Sequence, residues 1–262
     1  MESVELKDPR PPCSRSLKIG EPTKHRRRIV LGVGPIPTSS TNMKNKIIFY
    51  IIWLGVLSLV PISLLANTPP VYVLRNSSTI ANFVQRFLGL TAFTLLFFQI
   101  ILGAFMEKWT NKLGGWIFRF HIIEGVIAYI LIILHPISFM FFNYFLGRGL
   151  DPFYIFTGFC LLCPTRIDFF YTLGRVSFWL LNISVWAGLL RAATPYMRVN
   201  WRKFHILNYL VFVLIGIHSI GVGTDVGTPP FSFFHGPALI TVGIIIIYKL
   251  FVFAKARFAN KS

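Results

Sequence analysis

The sequence predicts an all-α membrane protein, a bundle of six transmembrane helices, on two observations. First, 54% of its 262 residues are hydrophobic and only 13% are charged, against roughly 25% charged in ordinary soluble domains. That leaves too little polar surface to cover a soluble fold of this size. Second, the apolar residues fall into six blocks, each long enough to cross a hydrocarbon core that takes about 20 helical residues. The lipid bilayer is therefore the first partner the chain implies. The net charge of +17 does not point to nucleic acid, and no nucleic-acid partner is expected. The basic residues sit between apolar blocks and in the N-terminal tail, where topology signals sit.

Residues 1–45 are rich in Pro, Ser, Lys and Arg without apolar periodicity and predict a disordered cytoplasmic tail. The run Lys24-His25-Arg26-Arg27-Arg28 suits a segment that holds the N-terminus in the cytoplasm or touches anionic lipid. Spans are expected at about 47–66, 84–105, 117–143, 174–193, 203–222 and 236–254. They form one domain over 46–255, followed by a short cytoplasmic tail at 256–262. The first block is long and shows no convincing cleavage site near Ala66, so it reads as a span and not as a removed leader.

Of the 26 Lys and Arg, only Arg75, Arg86, Arg148, Arg166 and Arg175 fall on segments that face outward when the N-terminus is inside. That bias predicts a protein of the cell membrane with both termini in the cytoplasm. Asn76-Ser77-Ser78 then lies outside and matches a glycosylation pattern that is common by chance. Of the three cysteines, Cys13 lies in the tail, and Cys160 and Cys163 form one C-x-x-C in an apolar loop. Free thiols or a local disulfide are expected there, because a zinc site needs a second pair or neighbouring histidines.

Four histidines stand out: His121 and His135 on the third span, His205 and His218 on the fifth. Each pair spans roughly 20 Å at about 1.5 Å per residue, most of a hydrocarbon thickness of roughly 30 Å. Both helices run from inside to outside. Topology therefore pairs His121 with His205 near the cytoplasmic face and His135 with His218 near the outer face. Two axial imidazoles are what a six-coordinate haem iron takes, and two stacked haems would carry electrons across the membrane. A single membrane histidine usually packs or lines a polar path. Four at matched depths form a different pattern.

On the third span, fourteen steps of about 100° end about 40° short of four turns, so His121 and His135 share a face with Gly125, Ala128 and Ile132. Gly125, one turn from His121, admits a flat macrocycle or a close helix neighbour, and the two uses are compatible. On the fifth span, thirteen steps leave the histidines about 140° apart. Either that helix is distorted or it passes between laterally offset haems. Pro136 should loosen the third helix around the carbonyl of Ile132. For haem propionates, Arg119, Arg198, Arg202 and Lys203 are available inside, and Arg86 and Arg175 outside. Arg86 is the sharpest candidate, because it opens an apolar helix where positive charge is scarce. His235, at the start of the last span, reads as a solvated interfacial residue.

These residues resemble the ferric reductase-like transmembrane domain, the haem-bearing part of ferric reductases and NADPH oxidases. The likeness covers about residues 47–255 in architecture. Three blocks carry it: Gln85-Arg86-Phe87-Leu88-Gly89-Leu90-Thr91-Ala92-Phe93; Phe120-His121 through Gly125 to Leu134-His135-Pro136; and Trp201-Arg202-Lys203-Phe204-His205-Ile206-Leu207-Asn208-Tyr209 through His218. The resemblance implies this histidine spacing, two b-type haems and outward electron transfer. Oxidases of the family often place an aromatic side chain between the haems. The matching position here is Val211, with Phe212 beside it on the face of His205. The short form is similar as well to the bacterial haem subunit of a methionine sulfoxide repair system, which passes electrons to an external enzyme.

Eukaryotic members of the family continue into flavin- and nicotinamide-binding domains. Here about eight residues follow the last span and no Gly-rich dinucleotide turn occurs, so no flavin or nicotinamide site is expected in the chain. The expectation is a di-haem b cytochrome, an oxidoreductase with no catalytic side chain of its own. It would take electrons from a separate cytoplasmic donor (a flavoprotein or ferredoxin-like protein) or from a quinol. The outer acceptor would be ferric iron, oxygen or a partner protein. His121, His135, His205 and His218 would be the axial ligands, with Arg86 and Gly125 completing the cofactor site. The rivals are a proton channel or transporter that uses the histidines as a relay, a structural subunit whose histidines only pack, and a haem-binding subunit of a larger redox complex.

Overall fold

Every expected span is a helix, and several begin well before the apolar run does. The computed structural model describes residues 43–160 and 162–259 and contains no strand among them. The helices are α1 (Met43–Asn67), α2 (Pro70–Val73), α3 (Ser77–Ala104), α4 (Met106–Leu113), α5 (Trp116–Phe145), α6 (Tyr154–Thr157), α7 (Arg166–Leu189), α8 (Pro195–His205), α9 (Leu207–Val222) and α10 (Ser232–Ala259). Six stretches are long and apolar enough to cross a membrane: α1, α3, α5, α7 with the 3-10 turn after it, α8 joined to α9, and α10. This is an integral membrane protein in a lipid environment.

Polar caps, and not the onset of hydrophobicity, fix the early starts. Asn76 accepts the N–H of Thr79 while Thr79 Oγ1 accepts the N–H of Asn76, a reciprocal capping box ahead of α3. Thr165 accepts the N–H of Asp168 ahead of α7, and Thr194 that of Met197 ahead of α8, where Pro195 takes the first helical position. Asn76, the first residue of the glycosylation pattern, thus spends its side-chain oxygen on a helix. The tail expected over 1–45 is shorter than that: Met43, Lys44 and Asn45 belong to α1. At the other end α10 carries on through 256–259, because its hydrogen-bond ladder outlasts its apolar run. The remainder of both tails, with the Lys24–Arg28 run and Cys13, lies outside the described residues.

The fifth span is locally distorted, one of the two geometries that its histidine spacing left open. Helix α8 ends at His205, Ile206 stands between α8 and α9, and the N–H of Tyr209 reaches back only three residues to the carbonyl of Ile206. Such a turn advances about 120° per residue in place of about 100°, which recovers part of the mismatch of roughly 140°. The third span behaves differently: α5 is continuous through Pro136.

Packing sorts the spans into two couples. Helix α3 lies along α5, and α7 along α9, in the two most extensive helix contacts of the molecule. Helices α5 and α9 share no comparable face, so the two histidine-bearing helices stand across a gap from each other. Buried Phe93 and Phe212 stack at 4.9 Å in the core, with Leu90, Leu96, Leu181 and Val242 around them. Ile51, Ile52 and Leu54 on α1, and Ile244, Ile247 and Phe251 on α10, are exposed, as lipid-facing side chains are.

Candidate functional site

Each outer histidine is seated on the backbone of the partner helix in its couple. His135 Nδ1 on α5 lies 2.9 Å from the carbonyl oxygen of Gln85 on α3. His218 Nδ1 on α9 lies 2.8 Å from the carbonyl oxygen of Phe170 on α7. A carbonyl only accepts, so Nδ1 carries the hydrogen in both rings and the neutral ring keeps a bare lone pair on Nε2. Donating the far N–H to a backbone carbonyl is what orients a metal-ligating histidine.

A glycine one turn along makes that approach possible. A Cβ on Gly89 would sit 2.8 Å from His135 Cε1, and one on Gly174 would sit 2.9 Å from His218 Cε1. No side chain fits at either position. In a helix the carbonyl of residue i already accepts from i+4, and a glycine at i+4 uncovers its second lone pair for the imidazole. Gln85 with Gly89 and Phe170 with Gly174 are the same device on two helices.

Only the spacing recurs fourteen residues later, Gln99 with Gly103 on α3 and Ser184 with Gly188 on α7, and nothing lies within 4 Å of a Cβ on Gly188. His121 faces Gly103 with more room, 3.6 Å from its Cε1 to the ideal Cβ, and its Nδ1 is buried with no partner. His205 Nδ1 lies 3.4 Å from Ser184 Oγ and 3.5 Å from Asn208 Nδ2. His121 Nδ1 has no partner and His205 Nδ1 has only long ones, so these two rings are held more loosely than those of His135 and His218.

His135 and His218 both line one cavity of about 390 Å³ between the two couples. Its walls include Gly89, Gly174, Tyr171 and Val211, and two arginines stand at it. Arg86 is committed elsewhere. Its Nε donates to Asp225 Oδ2 at 2.7 Å, its second terminal nitrogen to Oδ1 at 2.5 Å, and Thr68 Oγ1 accepts from the remaining one. Arg175 is buried, donates to the carbonyl of Gly158 and lies 4.5 Å from the Tyr154 ring centre. No carboxylate answers its charge among the described residues, and a buried cation without one calls for an anion. Of the two outer arginines, Arg175 is thus the better placed for a ligand carboxylate.

Three further expectations meet their positions here. Gly125 turns its open side to Gln99, whose Oε1 would lie 3.1 Å from a Cβ there, so its missing side chain serves helix packing. Phe212 is buried against Phe93, and Val211 reaches the cavity. His235 is not a solvated interfacial residue. It is buried, with its ring 4.8 Å from that of Phe93 and Nε2 2.8 Å from Ser219 Oγ, because α10 begins at Ser232 and packs this first turn against α3 and α9.

Sequence reasoning missed the glycine seats, Asp225 and a buried carboxyl at Glu124, which accepts from Trp53 Nε1 at 2.7 Å and from Gln99 Nε2 at 2.8 Å. A visible signal existed for the first: Gln-x-x-x-Gly occurs twice on α3 at the same fourteen-residue period as the histidines it receives. No group of three or more His, Cys, Asp or Glu converges among the described residues. No protein-family model matches the chain, and neither a curated protein nor a solved structure is found similar to it.

Proposed function

We propose that this protein is a transmembrane di-haem b cytochrome of the ferric reductase-like kind, moving electrons from a cytoplasmic donor to an acceptor at the outer face. One observation carries the reading: two imidazoles from different helices, each fixed by its Nδ1–H on a backbone carbonyl under a glycine, border one cavity with their Nε2 atoms free. The donor set fits a haem. His135 and His218 would hold the haem through their imidazoles, the glycines leave the backbone bare, and Arg175 would supply the charge for a propionate. His121 and His205 would hold the second haem nearer the cytoplasm. When bound, the haems supply one-electron cycling of iron; the chain supplies ligation, spacing and a dry path. The buried Phe93–Phe212 stack fills the core between the two histidine levels and excludes water from it.

The donor is a flavoprotein, a ferredoxin-like protein or a quinol, and the acceptor ferric iron, oxygen or a partner protein. Orientation follows the excess of Lys and Arg on the inner segments. The disulfide between Cys160 and Cys163 supports it, since such bonds persist on the oxidising side of a cell membrane. The relay alternative is weaker, because an imidazole tied by Nδ1 to a carbonyl has only one nitrogen left for proton exchange. An optical spectrum of protein expressed with ample haem decides the matter. Reduced b-type bands at about two haems per chain are expected, and a folded but colourless protein overturns the reading.

A further inference from the structure

We propose that Cys160 and Cys163 form a redox-active pair that takes up electrons from the outer haem and passes them on as thiols. The proposal rests on the di-haem reading above. It starts from where the sulfurs sit. The loop between α5 and α7 carries α6, whose Ile155 and Phe156 form part of the cavity wall. Gly158 accepts from Arg175, and Phe156 accepts from Trp179 Nε1 at 3.0 Å, which ties the loop to α7. Next comes Cys160. Its N–H donates to Thr172 Oγ1 at 3.2 Å, and its Sγ lies 3.2 Å from the same oxygen. Thr172 is two residues from Phe170, whose carbonyl receives His218, and two from Gly174, which seats that ring. One short stretch of α7 therefore holds the imidazole on one side and the disulfide on the other.

A structural staple would not be built this way. Loop-closure stabilisation grows with the length of chain enclosed, and this bond joins residues only three apart. C-x-x-C is also the spacing of thiol–disulfide exchange sites. Both cysteines are half-buried, and Leu162 between them is 97% exposed, so a partner protein can reach the sulfurs.

The step balances. The Cys160–Cys163 bond takes up two electrons and two protons and opens to two thiols. The two electrons would be supplied one from each bound haem, held by the four histidines, and the protons by the outer aqueous phase. The product dithiol reduces a disulfide of an outer-face protein. One thiolate attacks it to form a mixed disulfide, and the second cysteine displaces the partner's dithiol as the Cys160–Cys163 bond re-forms.

The test counts thiols. The Cys13→Ser form of the full chain, loaded with haem in lipid nanodiscs, is reduced without oxygen by dithionite, and free thiols are labelled with a maleimide polymer. Two labels per chain should appear as the haem bands reduce, at least an order of magnitude faster than in the His135→Ala/His218→Ala form. A reductive titration should consume two electrons per chain more than the Cys160→Ser/Cys163→Ser form does. Thr172→Val should keep the spectrum and slow the labelling. Full haem reduction with labelling no faster than in the histidine-less form overturns the proposal and leaves the di-haem reading standing. A chain without b-type bands overturns both.

Discussion

The two histidine levels share one glycine spacing, and only one of them completes the seat. At the outer level both imidazoles sit on carbonyls at 2.8 and 2.9 Å, under glycines that admit no Cβ, beside a defined cavity. At the inner level the repeats fourteen residues away offer Gly103 with space to spare, a buried Nδ1 without a partner, and a serine at 3.4 Å. The outer level also has a clamp. Asp225 in the segment after α9 grips Arg86 of α3 and accepts from Asn67 of α1 at 2.9 Å, at the wall of the cavity. The difference teaches that ligand depth is set by helix period, whereas ligand rigidity is set by what the far nitrogen touches.

The largest effect expected from this contrast is at the ligands. His135→Ala or His218→Ala should abolish the outer haem and leave at most one haem per chain, read by the haem-to-protein ratio. If all four histidine variants keep the parent ratio, the pairing is wrong.

Next comes the clamp. Arg86→Ala leaves the buried Asp225 carboxylate uncompensated and should destabilise the protein by about 3–5 kcal/mol, while the Arg86→Ala/Asp225→Ala double variant recovers much of the loss. Thermal unfolding in detergent reads it, and equal losses in the single and double variants would show that Arg86 works alone.

The glycine seats sharpen the comparison directly. Gly89→Ala and Gly174→Ala force overpacking worth about 1–3 kcal/mol and should weaken haem retention at the outer level. Gly103→Ala, with its 3.6 Å of clearance, should pass nearly unnoticed. Haem loss of the same size at all three positions would erase the distinction between the levels. The smallest effect belongs to Ser184→Ala, which removes one long hydrogen bond. It should cost no more than about 1 kcal/mol and shift the inner haem's reduction midpoint without releasing it; unchanged midpoint and stability would mean that Ser184 does not hold His205.

How much of this was legible can be argued residue by residue. The spans were legible because a helix in lipid must hide its backbone and present apolar side chains for about 20 residues. His121 and His135 were legible as a pair because side chains fourteen residues apart on one helix share a face, whereas the thirteen-residue spacing of His205 and His218 left two geometries open. The glycine seats were written in the same period but pointed at partners on other helices, and a glycine read alone has several uses. Asp225 gave no local sign of its role, since it meets Arg86 139 positions away.

The sequence by itself determined the helical class, the membrane environment and the number of spans. All of these follow from helical rise, hydropathy and residue type along one segment at a time. Only the tertiary structure decided that α5 and α9 stand apart across a cavity, that His135 and His218 lean on α3 and α7, and that Arg86 is spent on Asp225 while Arg175 stays available. It also decided that Cys160 lies against the stretch of α7 that seats His218. Those outcomes depend on which helix faces pack together, and no single segment carries that information.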